Sequence, residues 1–100
     1  CHFHDTRGMG LTNVYAALQT GIRHFDASIG GLGGCPFSPG ASGNVATEDV
    51  VLMLEQMDYD TGIDLKKLVT ASELAKELTG NCQGGHGLSW LQRQRDTGLL

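Results

Sequence analysis

A glycine-rich stretch at residues 30–49 divides this chain and constrains its fold more than any other feature. Five glycines and two prolines fall within residues 30–40. Neither helix nor strand is expected there, because glycine loses the most backbone freedom on ordering and proline has no N–H to donate. Loops of this length are uncommon in compact domains and often carry function. The stretch therefore predicts a long connection that holds Cys35 near its centre and Asn44 near its end.

The residues before this loop follow the order strand, helix, strand. Residues 1–5 and 22–29 alternate as strands do, and residues 11–20 carry apolar side chains at helical spacing. A helix between two strands predicts a βαβ unit with parallel strands, and therefore an α/β fold. On the second strand, Asp26 would share a face with His24 and Ser28, where a hydrogen-bonded polar layer is the simpler interpretation.

Two further helices are predicted after the loop. The first has Thr47 as its N-cap, with Glu48 and Asp49 placed favourably for the helix dipole. The second has Asp64 as its N-cap and ends at Gly80. Its predicted buried side consists of apolar residues at helical spacing: Leu65, Leu68, Val69, Leu74, Ala75 and Leu78.

Residues 80–100 differ in character from residues 1–79, and we treat them as a separate C-terminal tail. Glycines surround His86, and the only helical pattern is a short one at residues 88–95. Cys82 and His86 could form a metal-binding pair, but two such residues in a glycine-rich tail are more often incidental. We assign this tail no function.

The composition argues against several classes of protein. The 11 acidic and 7 basic residues are scattered and give a net charge of −4, which argues against a nucleic-acid-binding surface. No apolar run reaches the roughly 18 residues that a membrane helix needs. Three cysteines are too few for a disulfide scaffold and indicate a reducing compartment or one reactive thiol. The chain has no initial Met and begins on a strand-like segment, so we interpret it as a fragment.

The pair His2 and His4 is the first candidate for chemistry. On an extended segment, side chains at positions i and i+2 share a face, so both imidazoles can bind one cation. Histidines in strands are also commonly structural or exposed. The motif alone leaves metal binding and a structural role open.

Three groups of residues resemble the 3-hydroxy-3-methylglutaryl-CoA (HMG-CoA) lyase family. They are His2-Phe3-His4-Asp5-Thr6, the segment GLGGCPFSPGASGNVATED at residues 31–49, and Thr61-Gly62-Ile63-Asp64. The likeness covers about residues 1–79 and does not extend into the tail. Its specific part is the Gly-Gly-Cys-Pro loop, since His-x-His-Asp is shared with other metal-dependent lyases and with condensing enzymes such as isopropylmalate synthase.

The resemblance implies the last two strands of a TIM (β/α)8 barrel, with residues 1–5 ending the seventh strand and residues 22–29 forming the eighth. It implies that His2, His4 and Asn44 bind a divalent metal ion, Mg²⁺ or Mn²⁺. It also implies that Cys35 and His2 are catalytic, with loop 30–49 as an active-site lid. The family's aspartate ligand and catalytic arginine come from a first strand that has no counterpart in these 100 residues.

The implied reaction is cleavage of HMG-CoA to acetyl-CoA and acetoacetate. A small-molecule acyl-CoA is then the partner, with no nucleic acid and no membrane. The parent protein is compatible with a homodimer, in the cytoplasm of a bacterium or the mitochondrial matrix of a eukaryote. Two alternatives stay open: a superfamily lyase or condensing enzyme for another acyl-CoA or 2-oxo acid, and a non-catalytic remnant or interaction module. The isolated fragment is expected to be inactive.

Overall fold

The computed structural model describes residues 1–33, 43–80 and 84–100. Among these residues, four α-helices account for most of the regular structure. The helices are α1 (Gly10–Gln19), α2 (Thr47–Gln56), α3 (Leu65–Thr79) and α4 (Leu88–Asp96), with a 3-10 turn at Ile29–Gly31. Within these ranges, no helix has the length and apolar character needed to cross a membrane.

Isolated β-bridges take the place of the two predicted strands. The described residues contain three: His2–Asp26 (parallel), His4–Asn44 (antiparallel) and Ser28–Ala46 (parallel). A continuous strand at residues 22–29 was therefore a wrong prediction. A ladder needs successive pairs with one partner strand, whereas here the N–H of Asp26 donates to Cys1 and the N–H of Ser28 donates to Val45. The parallel sense of the pair at residues 2 and 26 agrees with the predicted βαβ order.

Helices α1 and α2 both contact the segment that carries Asn44. Val14 of α1, Val45 of this segment and Val50 of α2 form one buried apolar cluster. The start of α1 also lies close to this segment, since a Cβ atom on Gly10 would fall 2.9 Å from a methyl carbon of Val45. Contacts with both helices consequently hold Val45, the residue next to Asn44.

The helix ends were mostly predicted correctly. For α3, the Asp64 side chain accepts hydrogen bonds from two backbone N–H groups of the first turn, and Gly80 ends the helix with a φ of +68°. The prediction of Thr47 as the N-cap of α2 was wrong by one position, because Ala46 is the N-cap. The N–H of Thr47 donates instead to the backbone oxygen of Ser28 at 2.9 Å, so a tertiary contact fixes this helix start.

Helix α3 is buried on a narrower side than its sequence predicted. Val69 is fully buried against Leu88 and Leu91 of α4, while Leu74 is 52% and Leu78 75% exposed. The predicted burial of the last two residues was therefore wrong. They lie about 140° and 180° around the helix axis from Val69, and α4 covers only the side near that residue.

The C-terminal residues pack on the rest of the molecule. Helix α4 confirms the short helix predicted at residues 88–95. Beyond its apolar contact with α3, Arg95 binds both carboxylate oxygens of Glu73, at 2.5 and 3.0 Å. This pairing lowers the pKa of Glu73.

Candidate functional site

His2 and His4 lie side by side on the surface. Their Nε2 atoms are 3.0 Å apart, and the rings meet nearly edge to face with centroids 4.9 Å apart. Two ligands at right angles on an octahedral ion, each about 2.1 Å from it, would be separated by about 3.0 Å. The separation of the two nitrogen atoms therefore suits a shared metal ion.

Asp26 contacts the opposite edge of the His2 ring. Its Oδ1 lies 2.5 Å from Nδ1 of His2, and both side chains are at least half exposed. A proton on Nδ1 directs the lone pair of Nε2 outward, which is how carboxylates commonly orient metal-binding histidines. The sequence placed Asp26 on a polar strand face but gave no link to His2. The parallel bridge between residues 2 and 26 supplies that link.

Asn44 lies beside His4 because their backbones pair in antiparallel fashion. The flanking hydrogen bonds, of 2.8 and 3.2 Å, join residues 3–5 to residues 43–45. This pattern makes residues 4 and 44 a non-hydrogen-bonded pair, the type in which Cα atoms are only about 4.5 Å apart and the side chains share a face. The structure thus brings together His2, His4 and Asn44.

The amide of Asn44 has a defined orientation. Its Nδ2 donates to the backbone oxygen of Leu32 at 2.8 Å, and its backbone N–H donates to that of Gly33 at 3.0 Å. With the amide nitrogen engaged, Oδ1 is the atom left to act as a metal ligand. An amide oxygen and two imidazoles form a donor set that a divalent ion can accept.

A buried carboxylate supports this region from behind. Glu48 is fully buried, and its Oε1 accepts the N–H of Gly30 at 2.8 Å. Its Oε2 accepts the hydroxyl of Ser72 at 2.7 Å and the N–H of Gly85 at 3.0 Å. Glu48 therefore joins the turn before Leu32 to α3 and to the C-terminal segment. The sequence had suggested only a helix-dipole role for it.

Residues 84–87 are fastened by two more carboxylates. Asp49 accepts the backbone N–H groups of His86 and Gly87, at 2.7 and 2.8 Å. Burial raises the pKa of Asp49, and these two hydrogen bonds partly oppose that effect. The Nε2 of His86 lies 2.8 Å from Oδ2 of Asp5, a contact that raises the pKa of His86. The segment after residue 83 is thereby tied to the residue that follows His4.

Two predicted or considered site residues, Cys35 and Cys82, lie outside the described residues. The catalytic role of Cys35 therefore stays a prediction, and so does the possible pairing of Cys82 with His86. The contact that the structure gives for the His86 ring is with Asp5. Among residues 1–33, 43–80 and 84–100, no group of three or more His, Cys, Asp or Glu side chains is arranged to hold a metal ion. The histidine pair and Asn44 are therefore a partial ligand set.

Residues 1–75 match the family model described as HMGL-like. The chain belongs to this family. It is similar to the hydroxymethylglutaryl-CoA lyase YngG of Bacillus subtilis, with 60% identity over 79 residues that cover 79% of this chain and 26% of the relative. The chain thus spans about a quarter of the length of this HMGL-like relative.

Solved structures of family members are similar to this one. The HMG-CoA lyase of Bacillus subtilis matches with a TM-score of 0.85 and 53% identity, covering 91% of this chain and 30% of that one. An HMG-CoA lyase of Acinetobacter baumannii, in complex with coenzyme A and 3-methylmalate, matches with a TM-score of 0.78 and 52% identity, covering 88% and 29%. A match over 91% of the chain includes residues beyond residue 79.

Proposed function

We propose that the protein containing this chain is a metal-dependent carbon–carbon lyase that cleaves HMG-CoA to acetyl-CoA and acetoacetate. The observation that carries the proposal is the pair of Nε2 atoms of His2 and His4, 3.0 Å apart and beside Asn44. Family membership and 60% identity to a hydroxymethylglutaryl-CoA lyase support the reaction. The related structure bound to coenzyme A and 3-methylmalate supports a small-molecule acyl-CoA as substrate.

We infer that residues 1–79 form the last two β/α units of a (β/α)8 barrel and that residues 80–100 extend them. Residues 1–5 then take the place of the end of the seventh strand and residues 22–29 that of the eighth, although in this chain they pair only through single bridges. The structural matches to HMG-CoA lyases support this assignment. Active sites of such barrels lie at the carboxyl ends of the strands, so His2, His4 and Asn44 have a suitable location.

His2, His4 and Asn44 would hold a divalent ion of the Mg²⁺ or Mn²⁺ type. Two imidazole nitrogens and an amide oxygen suit a hard to borderline cation, and a carboxylate from elsewhere in the protein would complete the set. When bound, such an ion polarises substrate oxygen atoms and lowers the pKa of a hydroxyl group. All three candidate ligands lie within residues 1–75, the part of the chain that matches the HMGL-like family model, and this supports the proposal.

His2 has two proposed roles and two ring nitrogens. Its Nε2 lies beside that of His4, whereas its Nδ1 contacts Oδ1 of Asp26 at 2.5 Å. A nitrogen that binds a metal ion has no lone pair left to accept a proton, so Nε2 could not fill both roles at once. We propose that His2 acts as a metal ligand oriented by Asp26, and that Cys35 delivers or relays a proton to the enolate carbon. The part of His2 in proton transfer stays a prediction.

The site is tested with His4→Ala in the full-length protein, by measuring acetoacetate formation from HMG-CoA at saturating Mg²⁺ or Mn²⁺. We expect activity to fall by at least about 100-fold, because loss of a residue that binds the metal ion directly should cost no less than loss of a residue that supports a ligand. His24→Ala is the matched control, because His24 is exposed on the neighbouring segment and lies outside the ligand set. Near wild-type turnover of His4→Ala would contradict the site. Cleavage of another acyl-CoA in place of HMG-CoA would contradict the substrate.

The same assay tests the proposed catalytic role of Cys35. Cys35→Ala is expected to lower turnover strongly without weakening metal binding, while Cys1→Ala, which removes an exposed thiol, leaves turnover unchanged. Full activity of Cys35→Ala would remove that residue from the mechanism. Absence of any lyase activity in the wild type would favour the non-catalytic alternative. A homodimeric parent and its compartment stay predictions.

A further inference from the structure

The segment 31–33 and Asn44 approach each other more closely than two ordinary residues could. A Cβ atom on Gly33 would fall 2.9 Å from Nδ2 of Asn44, and one on Gly31 would fall 3.0 Å from the backbone oxygen of Asn44. Both glycines also have positive φ angles, +87° at Gly33 and +74° at Gly31. The missing side chain at residue 33 thus leaves the space in which the Asn44 amide lies.

The orientation of that amide decides whether Asn44 can bind a metal ion. An asparagine amide presents a nitrogen that only donates and an oxygen that accepts, and a cation takes only the oxygen. The Leu32 carbonyl accepts from Nδ2 at 2.8 Å, which selects the orientation with Oδ1 free. An amide rotated by half a turn would set two oxygens against each other at Leu32 and direct NH2 toward the ion.

The Leu32 carbonyl is itself held in place. The N–H of Leu32 donates to Ile29 and that of Gly31 to Ser28, closing the 3-10 turn. Ser28 is bonded to residues 45 and 47, and the N–H of Gly30 reaches the buried carboxylate of Glu48. The acceptor for Nδ2 therefore belongs to a turn that is anchored at several points on the start of α2.

We infer that Gly33 is a positioning residue for the metal site: by lacking a side chain, it lets Asn44 donate to Leu32 and so directs Oδ1 to the ion. The inference rests on the proposed function. A side chain at residue 33 pushes Nδ2 off the Leu32 carbonyl, and the amide then loses its single orientation. The expected consequence is weaker metal binding without loss of the ligand itself.

The experiment compares Mn²⁺ binding by wild-type, Gly33→Ala and Gly21→Ala full-length proteins, measured by calorimetry on the metal-free form. Gly21 is the matched control because it also has a positive φ, +97°, but has open space around the position of a Cβ atom. Both variants place an alanine at a positive φ, +87° at residue 33 and +97° at residue 21. We expect Gly33→Ala to weaken Mn²⁺ affinity about 10- to 100-fold, the range seen when support of a ligand is lost. Gly21→Ala should stay within about twofold, since it has no contact to lose. Equal effects would overturn the inference.

A double-mutant cycle shows whether Gly33 acts through Asn44. If it does, Gly33→Ala/Asn44→Ala binds Mn²⁺ no more weakly than Asn44→Ala alone, because the residue to be positioned is gone. Losses that multiply across the two substitutions would overturn the inference. His4→Ala in the same titration distinguishes a failure of the proposed metal site from a failure of the positioning role of Gly33. If it retains wild-type affinity, the proposed site fails and the role of Gly33 with it. If it loses affinity while Gly33→Ala does not, the positioning role alone fails.

A second measurement needs no variant and covers the case in which Gly33→Ala does not fold. In a crystal structure of the wild-type full-length protein with Mn²⁺, we expect the Asn44 amide to contact the ion through one atom and the Leu32 carbonyl through the other. An amide turned away from Leu32 in the metal-bound state would overturn the inference.

Discussion

Asp26 offers a direct test of the contact that supports His2. Its carboxylate contacts Nδ1 of His2 and is largely exposed, so Asp26→Asn preserves size and changes only the acceptor. We expect Mn²⁺ affinity to fall about 10-fold, because an amide oxygen is a weaker acceptor than a carboxylate for a proton on Nδ1 of His2 and orients the ring less firmly. Titration of the metal-free full-length protein measures this effect.

Asp58→Asn is the control for this change. It removes the same charge from an exposed residue on the turn after α2, at a positive φ that asparagine tolerates. The two variants would show equal affinities if Asp26 affected the site only through net charge. That outcome would remove Asp26 from its supporting role at His2.

At the scale of the individual residue, the sequence predicted the candidate ligands but not the residues that contact them. Alternation placed His2 and His4 on one face, and the family motif added Asn44. Asp26, Leu32 and Gly33 act through contacts that join segments distant in the chain. The register of those segments is set by tertiary packing, and no local pattern encodes it.

At the scale of the element, helices were predicted well and strands poorly. The positions of α1 and α4 follow from apolar spacing, and Asp64 and Gly80 mark the ends of α3, because these signals act within a few residues. Which side of α3 is buried depends on where α4 docks, so Leu74 and Leu78 were assigned wrongly. The bridges at residues 26 and 28 depend on two separate partner segments.

The docking of residues 84–87 is expected to depend on pH. The contact with Asp5 raises the pKa of His86 above its ordinary value of 6.5. A folded-state pKa above that of the unfolded chain means that the stabilisation is complete below about pH 6.5 and is lost as pH rises through the raised value. Burial also raises the pKa of Asp49 from 3.8. Stability is therefore also lost as pH rises through the raised pKa of Asp49, in a more acidic range than for His86.

NMR titration of the His86 ring in the full-length protein measures this contact. We expect its pKa to lie above 6.5 in the wild type and to fall toward 6.5 in Asp5→Asn. Asp58→Asn, with the same change in charge, should leave it unchanged. The associated change in stability is expected to stay below about 1 kcal/mol, because the His86 side chain is largely exposed to solvent. An unchanged pKa in Asp5→Asn would show that the contact is absent in solution.

At the scale of the whole molecule, the chain leaves apolar surface uncovered. A cleft of about 450 Å³ opens between residues 25–27 and the first two helices, and its lining includes Leu18, Phe25, Val51 and Leu54. Leu74 and Leu78 add exposed apolar area on α3. Such surface is typical of an element that packs against further parts of a larger fold.

We therefore expect the isolated 100-residue chain to unfold without a sharp thermal transition, whereas the full-length protein melts cooperatively. With only single β-bridges among the described residues and two small apolar clusters, the chain buries too little surface to stabilise itself fully. Differential scanning calorimetry of both forms distinguishes the cases. A cooperative melt of a monomeric isolated chain would favour the interaction-module alternative.

The hydrogen bond from the N–H of Asn44 to the backbone oxygen of Gly33 holds these two residues together although they are 11 positions apart in the chain. The entropic cost of bringing two such positions together rises only with the logarithm of the number of residues between them. A change in that number is therefore expected to cost little free energy at Asn44. The positions of Asn44 and its neighbour His4 should then tolerate a longer or shorter connection.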